Sequence, residues 1–234
     1  CPTIINNVET LASVPKIIQN GPEWFNSLGT EHSPGFKCFS VSGHVNKPGN
    51  YEVPLGTPFT KLLELAGGMK NNKKIKAVIP GGSSVPVVPG KTMMETNMDY
   101  ESIVKAGSML GSGAVIIMDE DTNMVEVIHR ISRFYYSESC GQCTPCREGT
   151  GWMYKIIDKI LKGKGSLDDI KTLEAIPKMI SGSTICALGD AAAMPVESFI
   201  KNFKEEFLKY IKDQDENNEE NFDVDTKEYV INKR

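Results

Sequence analysis

The sequence predicts an α+β protein in which a small sheet is followed by a bundle of helices. Between residues 36 and 118, short segments with alternating apolar side chains are separated by turn residues, as is typical of strands. Between residues 121 and 212, apolar side chains recur every three or four positions, as is typical of amphipathic helices. The 234 residues are 40% hydrophobic and 24% charged, which suits one or two globular domains.

The composition also argues against several classes of function. The net charge of −4 argues against nucleic acid as the main partner. No run of about 18 apolar residues is present, so no membrane-spanning helix is predicted. No Ser/His/Asp arrangement and no pair of carboxylates suggests an active site, and no catalytic residue is predicted.

Residues 1–35 are predicted to be a lead-in segment with one short helix. Proline lacks an amide donor, so the helix is expected to begin or to be interrupted near Pro15. Asn6 and Asn7 precede it and are expected to form its cap and turn. The apolar positions of this helix are Leu11, Val14, Ile17 and Ile18.

Residues 36–120 are predicted to form a β-grasp (ubiquitin-like) domain. A strand from Phe36 and a return strand from Tyr51 make a hairpin around a turn at residues 46–50. Thr57 is placed to cap the following helix. Residues 77–79 and 114–118 are two further apolar strands. A hairpin, a helix and later strands on one sheet favour the β-grasp arrangement.

Residues 121–212 are predicted to form a four-helix bundle. The first helix covers about residues 122–137, and the second follows Cys146. Ser166 and Asp169 resemble a capping box that opens the third helix. The fourth covers about residues 190–212. The short connections predict antiparallel neighbours.

Residues 213–234 are predicted to be an acidic, disordered tail. Positions 213–225 hold seven carboxylates and no Lys or Arg, and such runs usually stay solvated.

Four of the six cysteines lie at metal-ligand spacing. Cys140, Cys143 and Cys146 form a C-x₂-C-x₂-C run, and Cys186 follows in the loop between the third and fourth helices. In an up-down bundle this loop returns to the end where the second helix begins, so Cys186 is expected beside the other three. Three thiolates in one turn with a remote fourth are typical of a [4Fe–4S] cluster, whereas structural zinc usually uses two separated pairs. A zinc-stapled docking module and unligated thiols remain as alternatives.

Several neighbouring residues have predicted roles. Cys146 lies where a helix begins, and the amides and dipole of a helix N-terminus favour thiolates. Gly141 and Gly149 are expected to let the backbone approach the cluster closely. Arg147 either adds positive charge there or is an exposed bundle residue. Cys38, in the first strand, is predicted to be a core thiol.

Two segments, residues 139–149 and 184–190, resemble the NADH-binding, flavin-carrying subunit of respiratory complex I, which is known as the F subunit in bacteria and the 51 kDa subunit in mitochondria. Residues 2–10, 42–48 and 79–84 also match. The wider group includes the diaphorase subunits of NAD-linked hydrogenases and formate dehydrogenases, which often carry additional ferredoxin-like cysteine clusters. This chain has none, which favours complex I.

The resemblance implies that the chain is the C-terminal portion of a longer subunit. Residues 1–35 would be the end of an FMN-binding α/β domain and its linker, followed by the soluble-ligand-binding type of β-grasp domain and the cluster-bearing bundle. The loops that bind NADH in the family are absent, so we expect no NADH oxidation by this chain alone. The residues implied to contact FMN are Asn6, Asn7, Ala187 and Leu188, and those implied to hold the cluster are Cys140, Cys143, Cys146 and Cys186.

The resemblance also implies the reaction and the partners. NADH would reduce FMN, and the cluster would take single electrons from FMN to the next iron–sulfur subunit of an NADH:quinone oxidoreductase. The implied partners are two other members of the hydrophilic arm, the 24 kDa-type [2Fe–2S] protein (the E subunit) and the larger iron–sulfur protein (the G subunit). The chain would lie peripherally on the cytoplasmic face of the bacterial inner membrane or on the mitochondrial matrix side.

Overall fold

The structure, a computed structural model, describes residues 1–215 and has a mixed α and β architecture, as predicted. The helices are α1 (Val8–Asn20), α2 (Pro22–Asn26), α3 (Phe59–Leu65), α4 (Gly90–Met94), α5 (Tyr100–Lys105), α6 (Met124–Glu138), α7 (Thr144–Leu161), α8 (Leu167–Ile180) and α9 (Leu188–Asp215). The strands are β1 (Phe36–Gly43), β2 (Gly49–Pro54), β3 (Thr57–Pro58), β4 (Ile75–Ile79), β5 (Val88–Pro89), β6 (Asn97–Met98) and β7 (Ala114–Asp119). Within this part of the chain no helix has both the length and the apolarity needed to cross a membrane.

Five strands form one sheet in the order β2-β1-β7-β4-β5. The central pair, β1 and β7, is parallel, with Val41 opposite Val115, and the other pairs are antiparallel. The predicted hairpin is present as β1 and β2. Strands β3 and β6 form a separate two-stranded ladder.

The sheet is buried on both faces where β4 and β7 lie. Successive side chains of a strand point to opposite faces, so neighbouring residues enter different cores. Val78 and Ile117 belong to a core shared with α3. Ala77 and Met118 belong to a second core, formed mainly by the long helices. The same two strands therefore complete the hydrophobic interior of both parts of the molecule.

Helices α6, α7, α8 and α9 pack against one another in chain order, and α9 also contacts α6 and α7. Met153, Leu173 and Phe199 are among the side chains that are buried between them. Ionic and polar contacts fix these helices to the sheet: Lys76 on β4 pairs with Glu206 on α9 at 2.7 Å. The backbone N–H of Val87 donates to the Ser198 hydroxyl at 3.0 Å.

The predicted capping box at the start of α8 is confirmed. Ser166 Oγ accepts from the Asp169 N–H at 3.3 Å, and the Asp169 carboxylate accepts from the Ser166 N–H at 2.7 Å. Burial opposes ionisation of Asp169, but hydrogen bonds from Lys159 and Ser166 outweigh it and lower the pKa of Asp169. The carboxylate therefore anchors the first turn of α8 in its charged form.

Two predictions about helix boundaries are wrong. Helix α1 neither begins nor breaks at Pro15 but runs through it. The carbonyl group that loses its amide partner there can be hydrated, because α1 has no buried residue. Thr57 does not cap α3: its hydroxyl donates to the Pro54 carbonyl at 2.6 Å within the β2–β3 turn, and Pro58 occupies the N-cap position.

Glu9 ties α1 to β1. Its carboxylate accepts from the Cys38 N–H at 2.8 Å and from Lys37 Nζ at 3.0 Å. Burial opposes ionisation, but the hydrogen bonds from Cys38 and Lys37 lower the pKa of Glu9. The prediction that Cys38 is a core thiol is wrong, because the register of β1 buries Lys37 and Phe39 and leaves Cys38 exposed.

Helix α9 extends to Asp215, three residues beyond the predicted boundary at residue 212. The remainder of the predicted acidic tail, residues 216–234, lies outside the described residues.

Candidate iron–sulfur site

The C-x₂-C-x₂-C run forms the entrance to α7. Cys140 is exposed, Cys143 is the half-buried N-cap residue, and Cys146 is buried within the first turn. Thr144 and Pro145 are the first helical positions, so α7 begins before Cys146 rather than after it. Proline is well tolerated here because these amides have no partner within the helix. The free amides and the positive end of the α7 dipole therefore face the cysteine run.

The loop that carries Cys186 reaches this same end of the helices. It connects α8 to α9, and the backbone N–H of Ile185 donates to Cys143 Sγ at 3.4 Å. The contact joins residues 42 positions apart. The residue next to Cys186 is therefore in direct contact with a thiol of the run.

Within residues 1–215, no group of three or more Cys, His, Asp or Glu side chains is placed to hold a metal ion. An iron–sulfur cluster binds its thiolates on different iron atoms, so it does not require the four sulfur atoms to converge on one centre. Four free thiols, a helix N-terminus and hydrogen-bond donors beside two of the sulfur atoms fit such a cluster.

Polar groups surround Cys146. The Ser139 hydroxyl lies 3.3 Å from Cys146 Sγ, and the Gly141 N–H donates to Ser139 Oγ at 3.4 Å. The Thr150 hydroxyl donates to the Cys146 carbonyl at 2.7 Å. The sequence did not lead us to predict a role for Ser139. Its position directly before the first cysteine was the feature that could have indicated one.

Arg147 braces the cysteine loop. Its guanidinium donates to the Gly141 carbonyl at 2.8 Å, to the Thr144 hydroxyl at 3.4 Å and to Glu148 at 2.9 Å. The side chain is half exposed, so Arg147 is an exposed bundle residue that also holds the backbone of the loop.

Gly149 lets α7 and α8 pack closely. A Cβ atom at Gly149 would lie 2.6 Å from Ile180 Cδ1, and one at Gly189 would lie 3.0 Å from Ile180 Cγ2. Ile180 on α8 therefore lies between α7, which contains Cys146, and α9, which follows Cys186. The predicted approach of Gly149 to a cluster stays a prediction; the atoms nearest to the Cβ position belong to side chains of α8.

The four residues implied to contact FMN come from two segments of the chain, at the starts of α1 and α9. Asn6 and Asn7 are exposed, and Asn7 Oδ1 caps α1 by accepting from the Thr10 N–H at 3.2 Å. Ala187 is exposed and Leu188 is half-buried at the start of α9.

Comparison with known proteins agrees with this site. Residues 126–210 match the family model of the NADH-ubiquinone oxidoreductase-F iron-sulfur binding region, and residues 38–88 match the SLBB domain. The part of the chain that carries the four cysteines is therefore similar to an iron–sulfur binding region of this class.

The curated relatives identify the protein to which this region is related. The F subunit of NADH-quinone oxidoreductase from Rickettsia felis is 49% identical over 214 residues, covering 91% of this chain and 50% of the relative. The F subunit from Mycobacterium tuberculosis H37Rv is 50% identical over 212 residues, covering 91% of this chain and 47% of the relative. This chain is thus a relative of the NADH-quinone oxidoreductase F subunit, and it spans about half the length of the curated relatives it matches.

A solved structure gives a similar fold. The NAD+-reducing [NiFe]-hydrogenase in its H2-reduced state superposes with a TM-score of 0.80 and 32% sequence identity, covering 89% of this chain and 35% of that chain.

Proposed function

We propose that this chain is the cluster-bearing part of an NADH:quinone oxidoreductase and that Cys140, Cys143, Cys146 and Cys186 hold one [4Fe–4S] cluster. The contact of the Ile185 N–H with Cys143 Sγ carries the proposal, because it brings the remote cysteine's loop to the other three. The family match over residues 126–210 supports the same ligand set. When bound, the cluster supplies one-electron acceptance and donation.

The chain's own residues prepare the site for negatively charged sulfur. The N-terminus of α7 offers unpaired amides beside Cys143 and Cys146. The guanidinium of Arg147 holds the loop through the Gly141 carbonyl. A residue that is not itself a proposed ligand therefore helps to fix the spacing of Cys140 and Cys143. Ile180 fixes the position of α7 relative to α9.

The same proposal includes the flavin and the fold of each part. Asn6, Asn7, Ala187 and Leu188 would contact an FMN bound mainly by the part of the relatives that this chain does not span. Residues 1–35 would complete that FMN-binding domain. The sheet order supports a β-grasp domain in residues 36–120, and the packing of α6 to α9 supports a four-helix bundle in residues 121–212.

The names of the relatives, which give NADH, quinone and a subunit, support the proposed reaction and assembly. NADH would be the substrate of the whole protein, and electrons would pass from FMN through this site to a neighbouring iron–sulfur subunit. The proposed partners are the 24 kDa-type [2Fe–2S] protein and the larger iron–sulfur protein of the hydrophilic arm. The proposed location is peripheral, on the cytoplasmic face of a bacterial inner membrane or the matrix side of a mitochondrial one.

A second assembly is favoured by one observation. The similar solved structure is an NAD+-reducing hydrogenase, so a diaphorase subunit of such an enzyme is the alternative function. Affinity purification of the full-length protein from its native cells would separate the two: co-purifying hydrogenase subunits would support the alternative.

Metal analysis tests the ligand set directly. The 234-residue chain, purified without oxygen, should contain about four irons and four sulfides and give an EPR signal after dithionite reduction. Cys186→Ala should lose that signal. Cys38→Ala is the matched control, because Cys38 is an exposed thiol on β1, outside the site, and it should retain the signal. Zinc without sulfide, even after anaerobic reconstitution, would support the zinc-stapled module instead.

The chain with FMN added should not oxidise NADH with ferricyanide as acceptor. Turnover under these conditions would contradict the assignment of NADH binding to the part of the relatives that this chain does not span.

A further inference from the structure

Ser139 is the residue at which α6 ends and the cysteine run begins. Its side chain is half-buried, and its hydroxyl oxygen lies 3.3 Å from Cys146 Sγ. Its other hydrogen bond comes from the Gly141 N–H, at 3.4 Å. The hydroxyl therefore bridges the loop backbone and the most buried of the four thiols.

The chemistry of the three groups fixes the direction of this bridge. The Gly141 amide is a donor only, so Ser139 Oγ must accept from it. A cysteine that binds iron is a thiolate without a proton, so Ser139 must donate its own proton to Cys146 Sγ. The order is Gly141 N–H to Ser139 Oγ, then Ser139 O–H to Cys146 Sγ. The first bond polarises the hydroxyl and strengthens the second.

The surroundings make this hydrogen bond effective. Cys146 is only 7% exposed, so water competes little for its sulfur atom. The nearby Thr150 hydroxyl is used by the Cys146 carbonyl and does not compete for the sulfur. Hydrogen bonds to sulfur are among the factors that set the reduction potential of an iron–sulfur cluster.

We propose that Ser139 is a positioning residue that raises the reduction potential of the cluster through its hydrogen bond to Cys146. This inference rests on the proposed cluster site. Reduction adds one electron and makes the ligand sulfur more negative, so a donated hydrogen bond stabilises the reduced form more than the oxidised form. Removal of the hydroxyl should therefore make the cluster harder to reduce.

A redox titration followed by EPR tests the proposal on the anaerobically reconstituted 234-residue chain. At the potential where half of the wild-type cluster is reduced, Ser139→Ala should lower the reduced-to-oxidised ratio about threefold or more. A threefold change corresponds to about 28 mV, because a tenfold change is about 59 mV for one electron. Ser139→Thr retains a hydroxyl and should stay within about twofold of the wild type.

Ser137→Ala is the matched control. The Ser137 hydroxyl donates to the Phe134 carbonyl at 2.8 Å, at the same end of α6. If Ser139→Ala fails to bind iron, Ser139→Gly provides a second variant without the hydroxyl, since helix C-termini tolerate glycine.

The outcomes separate this inference from the proposed function. If the wild type binds about four irons and sulfides but Ser139→Ala titrates like Ser137→Ala, the inference is wrong and the ligand set stands. A wild type that binds no cluster after reconstitution overturns both. A lowered ratio in the two hydroxyl-free variants, with the threonine variant unchanged, establishes Ser139 as a determinant of the potential.

Discussion

Gly149→Ala tests whether α7 and α8 pack as closely as the structure shows. The new Cβ atom would lie 2.6 Å from Ile180 Cδ1 and 2.8 Å from Ile180 Cγ1. Ordinary carbon contacts are about 3.5–4.0 Å, so the two side chains overlap by about an ångström. Ile180 is 1% exposed and has little room to move away.

Two opposing effects determine the magnitude. Overpacking of a filled core costs about 1–3 kcal/mol. Alanine is favoured over glycine inside a helix by about 1 kcal/mol. We therefore expect Gly149→Ala to lower the free energy of unfolding by up to about 2 kcal/mol. In an Ile180→Ala background the clash is removed, and the same substitution should be stabilising by up to about 1 kcal/mol.

Guanidinium denaturation of the iron-free chain, followed by far-UV circular dichroism, measures the four corners of this double-mutant cycle. The coupling between the two positions should be about 1–3 kcal/mol. A Gly149→Ala substitution that stabilises the chain equally in both backgrounds would refute the proposed contact.

Three further predictions follow from the packing and the ion pairs. Asp169→Asn should lower the free energy of unfolding at neutral pH. The pKa of Asp169 in the folded protein lies below its ordinary value of 3.8. The contribution of the wild-type carboxylate to stability is therefore complete above pH 3.8 and disappears as the pH falls through the folded pKa. Denaturation curves should therefore converge on acidification, and a constant difference would contradict this. Glu9→Gln should speed hydrogen exchange at the Cys38 amide and in α1; unchanged exchange would show that the carboxylate does not hold the helix. Phe207→Ala should cost about 3–5 kcal/mol in urea denaturation, because the ring is fully buried; a loss below about 1 kcal/mol would contradict that packing.

Features with a local sequence signal were predictable. The apolar period of the long helices and the capping box at Ser166 and Asp169 depend on residues within a few positions of each other. The first hairpin has alternating strands and a turn rich in Asn, Pro and Gly. The spacing of the cysteine run likewise identifies candidate ligands without knowledge of the fold.

Several features that depend on distant partners were not predictable. Strands β3 and β5 are only two residues long and each contains a proline, so they have no period to detect. The exposure of Cys38 depends on the register of β1, and the Gly149 contact depends on how close α8 lies. At the site, the spacing of the cysteines predicts the metal ligands but not the hydrogen-bond donors beside them, such as Ser139.

The double-sided burial of β4 and β7 limits how this chain can be divided. A polypeptide of residues 121–215 alone would lose Ala77 and Met118 from its hydrophobic interior, together with the Lys76–Glu206 ion pair. The sheet part alone would expose the same two side chains to water. The two parts are therefore poor candidates for domain exchange between proteins. A recombinant fusion should join them to other sequences only outside this shared interface.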